Sequence, residues 1–146
     1  MLALIQRVTS ASVTVDDAVV GAIGPGLLAL VAVEPGDAEP QFRRMAERLL
    51  GYRVFDDGNG KMNRSLTDTG GGLLLVSQFT LAADTRSGMR PSFSTAAPPA
   101  EAERGFDRLL ELCRQMHVPG VETGRFGAHM VISLVNDGPV PFLLRP

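Results

Sequence analysis

The chain has 146 residues, the usual size of one domain, and we predict a single domain over residues 1–146. Hydrophobic residues make up 45% and charged residues 21%, which is the ordinary usage of a globular protein with a buried core. The net charge of -2 argues against broad nonspecific binding to nucleic acid, because neutralising phosphates requires a basic surface, but it permits a local basic patch.

Apolar runs predict strands in the first third of the chain. Asp16-Asp17 predicts a turn after the second run, and Gly24-Pro25-Gly26 breaks the chain before the fourth. The fourth run is apolar enough to be buried on both faces of a sheet. The predicted strands are Leu2–Val8, Ala11–Val15, Ala18–Ile23 and Leu27–Val33.

The apolar period then changes from that of a strand to that of a helix. Five apolar residues fall at i, i+3, i+4, i+7 and i+8, with Asp37 near the start of the pattern and Gly51 at its end. Beyond this helix, Tyr52–Phe55 predicts a strand and the run from Asp57 to Gly60 predicts a turn. The five periodic residues are Phe42, Met45, Ala46, Leu49 and Leu50.

In the second half of the chain, Gly70-Gly71-Gly72 predicts a turn before a central strand, Leu73–Leu81. Residues 82–99 have no periodicity, and a connection of this length is often functional. A second helix follows from Pro99, and His129–Val135 and Val140–Leu144 predict the last strands. One face of this helix carries Ala102, Phe106, Leu109, Leu110, Cys113 and Met116.

Many strands and two long helices that do not strictly alternate predict an α+β fold. We expect a largely antiparallel sheet or barrel, with both helices packed on it. No apolar run reaches the about 18 residues that a membrane helix needs, and the amino terminus lacks the pattern of a signal peptide. Cys113 is the only cysteine, so we expect no internal disulfide and a reducing, cytoplasmic location.

Side chains suited to catalysis are few. His117 ends the second helix and His129 opens a strand, and neither has a partner at metal-ligand spacing, so we expect no metal site. Cys113 lies on the apolar face of its helix, as a core residue would. The three consecutive glycines have no following Lys-Ser or Lys-Thr at the spacing of a phosphate-binding loop.

The segment from Ser77 to Asp84 is unusual because polar side chains interrupt an apolar run. Unpaired polar groups cost about 1–3 kcal/mol each when buried, so Ser77, Gln78 and Thr80 require partners or a pocket. From the residues alone, two interpretations remain open. The polar groups either bond neighbouring backbone at a strand end, or face a binding pocket.

Six segments in order along nearly the whole chain resemble the D-aminoacyl-tRNA deacylase family, first described as D-tyrosyl-tRNA deacylase. The pair of motifs SQFT and GPV is the most specific part of the resemblance. The segments are IQRV (Ile5 to Val8), LGYRVF (Leu50 to Phe55), GKMN (Gly60 to Asn63), SQFTLAADTRSGMRPSFS (Ser77 to Ser94), TGRFGAHM (Thr123 to Met130) and SLVNDGPV (Ser133 to Val140).

The resemblance implies a cytoplasmic homodimer that hydrolyses the ester between a D-amino acid, or glycine, and the 3′-terminal adenosine of tRNA, without metal or cofactor. It implies an active site at the dimer interface. The backbone amides of Phe79 and Thr80 serve the developing oxyanion, and the tRNA 2′-OH rather than a side chain assists catalysis. The implied substrate-binding residues are Arg7, Ser77, Gln78, Phe79, Thr80, Met130, Gly138 and Pro139.

In the family, a Gly-Pro dipeptide with a cis peptide bond enters the site from the other subunit and excludes L-amino acids. Gly138-Pro139 matches this dipeptide, Arg7 matches the arginine that orients it, and Asn136-Asp137 predicts a turn before it. This chain departs from the family at Pro141, where threonine is usual. Proline removes a backbone donor, so the loop position or the dimer contacts are expected to differ.

Two other functions remain open at this point. The first is an esterase with Ser77 or Thr80 as nucleophile and His129 as base, which no known spacing supports. The second is a noncatalytic RNA- or nucleotide-binding dimer in which Arg86, Arg90 and Arg125 form a phosphate patch.

Overall fold

Eight strands and three helices follow one another along the chain, and the computed structural model describes all 146 residues. A 3-10 turn, Phe79–Ala82, lies between the sixth strand and the third helix. The strands are β1 Leu2–Val15, β2 Ala18–Ile23, β3 Gly26–Ala32, β4 Phe55–Asp56, β5 Met62–Arg64, β6 Gly72–Ser77, β7 Val121–Thr123 and β8 Val131–Leu144. The helices are α1 Glu39–Gly51, α2 Leu66–Thr69 and α3 Pro99–Met116.

The main sheet has the order β2-β1-β3-β6-β7, and β8 pairs with β1. All three partners of β1 are antiparallel to it, whereas β3, β6 and β7 are parallel to one another. The two ends of the sheet approach closely, because a Cβ atom added to Gly21 of β2 would collide with the carbonyl of Thr123 in β7. The expected α+β fold with a largely antiparallel, barrel-like sheet and two long helices is confirmed.

Strand β3 is buried on both faces, as its composition predicts. Leu27, Ala29 and Val31 face the larger core cluster, which includes the apolar faces of α1 and α3. Leu28 packs instead with Val13 and other residues inside the curve of the sheet. The sheet therefore separates two large apolar clusters, and Ala32 at the end of β3 belongs to a third, small one.

Both long helices begin and end close to the predicted residues. The four buried residues of α1 are among the five predicted ones. On α3 the predicted face is buried except for Met116, which lies in the last turn and is 43% exposed. The two helices are joined on their outer side by Arg108, whose guanidinium donates to both carboxylate oxygens of Glu39 at 2.8 Å. None of the three helices has the length and apolar composition that crossing a bilayer requires.

Several predicted strand boundaries are wrong for identifiable reasons. The first two predicted strands form one strand, because β8 pairs with β1 on both sides of the exposed Thr9 and Ser10. The two predicted carboxy-terminal strands are likewise one strand, β8. The predicted strand Leu73–Leu81 ends at Ser77, and Tyr52–Phe55 is a strand only at Phe55. The turn at Asp16-Asp17 is confirmed, with positive φ at both residues.

Candidate active site

The end of β6 presents free backbone donors. The last hydrogen bond to the sheet is donated by Gln78 N–H to the carbonyl of Val31 at 2.7 Å. The chain then turns into the 3-10 segment, whose own bonding begins when Leu81 N–H donates to the Gln78 carbonyl at 3.3 Å. Because the first amides of a helical turn have no partner within it, those of Phe79 and Thr80 remain available to a bound group.

The side chains of the SQFT segment are arranged around these amides. The Gln78 amide nitrogen donates to the Thr80 hydroxyl at 2.5 Å, so the two polar side chains satisfy each other. Phe79 is 53% exposed, an unusual environment for phenylalanine, and packs against Phe93 with ring centroids 5.0 Å apart. Ser77 is half-buried beside them. Gln78 and Thr80 therefore bond each other through their side chains and not through neighbouring backbone, while Ser77 and Gln78 border a pocket.

Two pockets of similar size share Ser77, Phe79 and Gly127. The first has a volume of about 230 Å³ and is mainly apolar. The second has a volume of about 250 Å³ and contains polar groups of Gln78 and His129. The other lining residues of the first are Ala97, Pro99, Ala102 and Phe126. Those of the second are Ala128, Met130 and Ile132.

The long connection between Ala82 and Pro99 reaches the site through Phe93, which packs on Phe79, and is closed by its own hydrogen bonds. Asp84 and Ser92 exchange two backbone hydrogen bonds, at 2.8 and 3.1 Å. Within this closed loop, the Arg86 guanidinium donates to both oxygens of Asp84, and this hydrogen bonding lowers the pKa of that carboxyl to about 2. Arg86 is therefore already paired, whereas Arg90 and Arg125 are exposed and make no ion pair.

The predicted dipeptide lies in a bulge of β8. Gln6 is opposite Pro141 and Val8 is opposite Asn136, so the four residues Asp137 to Val140 stand opposite Arg7 alone. Asn136 remains paired with β1, so the predicted turn is a bulge within one strand. The Gly138-Pro139 peptide bond is cis.

Arg7 holds this bulge in place. Its Nε donates to the carbonyl of Asp137 at 2.9 Å and lies 3.3 Å from the Asp137 carboxylate. Its NH1 group donates to the carbonyl of Val54 at 2.6 Å. Gly138 has φ +136, and a Cβ atom there would lie 2.5 Å from a methyl of Val140 and 3.4 Å from Arg7. The site thus requires glycine at this position.

Within one chain the structure does not bring the dipeptide to the SQFT segment. Gly138 and Pro139 are exposed and line neither of the two pockets, whereas Met130 lines the second pocket with Ser77, Gln78 and Phe79. Pro141, the residue that departs from the family pattern, is exposed and opposite Gln6 where regular pairing resumes.

The histidines and the cysteine occupy different environments. His129 lines the second pocket with Ser77, yet no hydrogen bond joins them. His117 is buried at the end of α3, and its Nε2 lies 2.7 Å from the Gly71 carbonyl oxygen. Burial raises the pKa of the Cys113 thiol to about 12. No group of three or more His, Cys, Asp or Glu side chains gathers where a metal would bind.

Sequence reasoning alone does not find the other walls of the pockets. Pro99 and Phe126 line the first pocket and Phe93 packs on Phe79, but all three are distant in the sequence from Ser77 and none carries a chemical signal of its own. The only indication was their presence in or beside the segments SQFTLAADTRSGMRPSFS and TGRFGAHM.

Known proteins match this chain over its whole length. The D-aminoacyl-tRNA deacylase of Stenotrophomonas maltophilia strain K279a is 81% identical, and that of Xanthomonas campestris pv. campestris strain 8004 is 78% identical, over 100% of both chains in each case. A solved structure of the c-Myc DNA Unwinding Element Binding Protein is 36% identical with a TM-score of 0.95, covering 100% of this chain and 99% of that one.

A second solved structure, a probable eukaryotic D-amino acid tRNA deacylase, has the same fold with a TM-score of 0.84 at 17% identity, covering 98% of this chain and 97% of that one. The family model for D-Tyr-tRNA(Tyr) deacylase matches residues 4–145. The chain therefore belongs to the D-Tyr-tRNA(Tyr) deacylase family.

Proposed function

We propose that this protein is a D-aminoacyl-tRNA deacylase, which hydrolyses the ester between a D-amino acid, or glycine, and the 3′-terminal adenosine of tRNA. The observation that carries the proposal is the turn after β6, which leaves the amides of Phe79 and Thr80 unbonded within the turn, in a segment that borders two pockets. Full-length relatives that are 78–81% identical and named D-aminoacyl-tRNA deacylase support the substrate class.

The two amides stabilise the oxyanion that forms when water adds to the ester carbonyl. One preorganised donor of this kind typically contributes about 2.7–4 kcal/mol to lowering the barrier. The bond from the carbonyl carbon to the ribose O3′ then breaks, O3′ takes up a proton, and the products are the free amino acid and deacylated tRNA. Backbone donors suit this role because they are fixed by the fold and need no change of protonation.

The activating hydroxyl is the 2′-OH of the terminal ribose. This assignment is supported by the weakness of the side-chain candidates. The Thr80 hydroxyl already accepts a hydrogen bond from Gln78, Ser77 has no bonded base, and the raised pKa of Cys113 keeps its thiol protonated. A substrate hydroxyl adjacent to the ester supplies the missing group without any protein acid or base.

The complete site forms in a homodimer, in which Gly138-Pro139 of one subunit enters the pocket of the other. Three features support this arrangement. The dipeptide is exposed and away from its own pocket, β8 pairs only with β1 and leaves its other edge open, and apolar side chains along β8 face solvent. These exposed side chains include Val131, Val135 and Leu143.

The dipeptide backbone closes the side of the pocket toward which an L-side chain projects. A D-side chain points away from this wall, and glycine has no side chain to exclude. A filter made of backbone does not recognise one particular side chain, so the enzyme accepts many D-amino acids. A tRNA substrate and a single free cysteine, Cys113, both favour a cytoplasmic location.

Release of labelled tyrosine from D-tyrosyl-tRNA and from L-tyrosyl-tRNA tests this function. We expect rapid hydrolysis of the D-isomer only, and equal rates for both isomers would contradict the chiral filter. A tRNA ending in 2′-deoxyadenosine should be hydrolysed at least tenfold more slowly. Sedimentation of the free protein should give twice the mass of one chain.

The same assay separates the two rival functions. Because Ser77 and His129 line one pocket, an esterase with Ser77 as nucleophile predicts that Ser77→Ala and His129→Ala each abolish turnover, and one with Thr80 as nucleophile predicts the same of Thr80→Ala. The proposed mechanism predicts that activity survives in both variants and in Thr80→Ala. Binding of deacylated tRNA with no turnover of any ester would instead favour the RNA-binding function.

A further inference from the structure

Two phenylalanine rings are in contact at the surface of the protein beside the site. The rings of Phe79 and Phe93 have centroids 5.0 Å apart and are tilted by 54° to each other. Phe79 is 53% exposed and Phe93 is 43% exposed, whereas aromatic side chains are usually buried for most of their surface. The contact between the two rings therefore leaves part of each aromatic surface open to a ligand.

The backbone on both sides of Phe93 is held by hydrogen bonds. Ser92, the residue before it, exchanges two backbone hydrogen bonds with Asp84. The hydroxyl of Thr95, two residues after it, donates to the carbonyl of Ala82 at 2.5 Å. The ring of Phe93 is therefore in position before any ligand binds, and a group that stacks on it does not have to order the loop first.

The connection that carries Phe93 also carries a positive charge without a counter-ion. Its charged residues are Asp84, Arg86 and Arg90, and the first two form an ion pair at 2.6 Å. Arg90, three residues before Phe93, is exposed and unpaired. The same is true of Arg125, which directly precedes a residue that lines the first pocket. In a protein with a net charge of -2, these two guanidinium groups make the surface beside the site attractive to phosphate.

Proteins bind single-stranded nucleic acid with this combination of groups, because bases stack on exposed aromatic rings while arginines contact the backbone. The 3′ end of every tRNA is single-stranded and has the sequence CCA. In the proposed function, the ester on the terminal adenosine lies at the amides of Phe79 and Thr80. The preceding nucleotide is therefore within reach of the ring that packs on Phe79, which is the ring of Phe93.

We propose that Phe93 is a tRNA-binding residue, on whose ring the base that precedes the terminal adenosine stacks, and that Arg90 contacts a phosphate of the same strand. This inference rests on the proposed function. The contact involves only the nucleic acid, so it strengthens the binding of tRNA whatever amino acid the tRNA carries. It is therefore compatible with a filter made of backbone, and it gives a net-acidic chain a local affinity for a polyanion.

The test compares the 3′-D-tyrosyl esters of adenosine, of the dinucleotide cytidylyl-adenosine and of tRNA. The adenosine ester lacks the stacked base, so kcat/KM of the wild type should be at least about fivefold higher for the other two. Phe93→Leu keeps an apolar side chain but removes the aromatic face. It should lower kcat/KM by about 5- to 150-fold on the dinucleotide and tRNA esters, and by less than about twofold on the adenosine ester. Phe93→Tyr should keep the wild-type values on all three esters.

Arg90→Gln tests the phosphate contact. It should lower kcat/KM for D-tyrosyl-tRNA and reduce the slope of log kcat/KM against log salt concentration by about 0.7, as expected for one contact with a single strand. Arg114→Gln is the matched control, because Arg114 is also exposed and unpaired but lies fifteen residues, about 22 Å, along α3 from Pro99 at the first pocket. It should leave both the rate and the slope unchanged, and equal effects of the two arginine substitutions would refute the phosphate contact.

The inference and the proposed function fail in different ways. A wild-type protein that hydrolyses none of the three esters contradicts the function. If the wild type is active, an equal loss on all three esters in Phe93→Leu, or no loss on any, contradicts only the role of Phe93. If Phe93→Leu does not fold, the wild type decides, because equal kcat/KM for the adenosine and cytidylyl-adenosine esters would refute the stacking.

Discussion

Arg7→Ala should destabilise the protein, because Arg7 holds the bulge of β8 in place. The arginine side chain is 15% exposed and donates to two carbonyls, one of which belongs to Val54, a buried residue. Removing it deletes two charge-assisted hydrogen bonds and leaves the Val54 carbonyl without its donor. Each hydrogen bond to a charged group contributes about 1.5–3 kcal/mol, and an unpaired buried carbonyl costs about 1–3 kcal/mol.

These effects overlap, so we expect the free energy of unfolding to fall by about 2–4 kcal/mol in Arg7→Ala. For a chain of this size, that loss lowers Tm by about 6–12 °C, which differential scanning calorimetry measures directly. The variant should also discriminate less between D- and L-tyrosyl-tRNA, because the bulge that carries Gly138-Pro139 is no longer held.

Asp137→Asn provides the matched control. The Asp137 side chain is 54% exposed, and its ion pair with Arg7 is a surface contact worth about 0–1 kcal/mol. Its backbone carbonyl, which accepts from Arg7, is retained, so Tm should change by less than about 3 °C. The reasoning is refuted if Asp137→Asn lowers Tm as much as Arg7→Ala, or if Arg7→Ala unfolds within about 2 °C of the wild type.

Three further predictions concern groups outside the site. Because burial raises the pKa of Cys113 to about 12, iodoacetamide at about pH 8 should label it only after denaturation, and fast labelling of the folded protein would contradict its burial. The hydrogen bond from Arg108 lowers the pKa of Glu39 from 4.5 to about 2, so its stabilising effect is present above about pH 4.5 and is lost as pH falls through about 2. The difference in Tm between the wild type and Glu39→Gln should therefore be constant from about pH 5 to 8 and shrink below that range, whereas a constant difference down to about pH 2 would argue against this pairing. His117→Ala removes a buried ring bonded to Gly71 and should lower the urea-derived free energy of unfolding by about 2–4 kcal/mol, while a loss below about 0.5 kcal/mol would mean that the contact is not structural.

Elements with a long, regular apolar pattern could be predicted from the sequence alone. Helix α1 was found because its buried residues repeat with helical spacing, and β3 because its residues are apolar on both faces. In both cases the local pattern and the final environment agree. The short elements β5, β7 and α2 have three or four residues each, which is too few to establish a period.

The predicted strand boundaries are wrong where pairing with strands that are distant in the sequence determines the structure. Thr9 and Ser10 look like a break between strands, yet pairing with β8 keeps them within β1. The apolar residues Phe79 and Leu81 extend the predicted strand beyond Ser77, but the chain turns because the sheet contacts end at Gln78. Sequence periodicity contains no information on where a neighbouring strand stops.

The candidate site was only partly accessible from the sequence. The polar residues Ser77, Gln78 and Thr80 drew attention because they interrupt an apolar run, which is a local signal. Gly138-Pro139 and Met130 were identified through the family resemblance rather than through any chemical pattern.

The bulge of β8 also makes the pairing register of one half of that strand independent of the other half. Ile132 is opposite Val13 on one side of the bulge and Leu144 is opposite Ala3 on the other. A residue gained or lost in the bulge would change its length without shifting the inward and outward alternation on either side. The position of Gly138 above the sheet is therefore set by the bulge and Arg7, and not by the register of the strand.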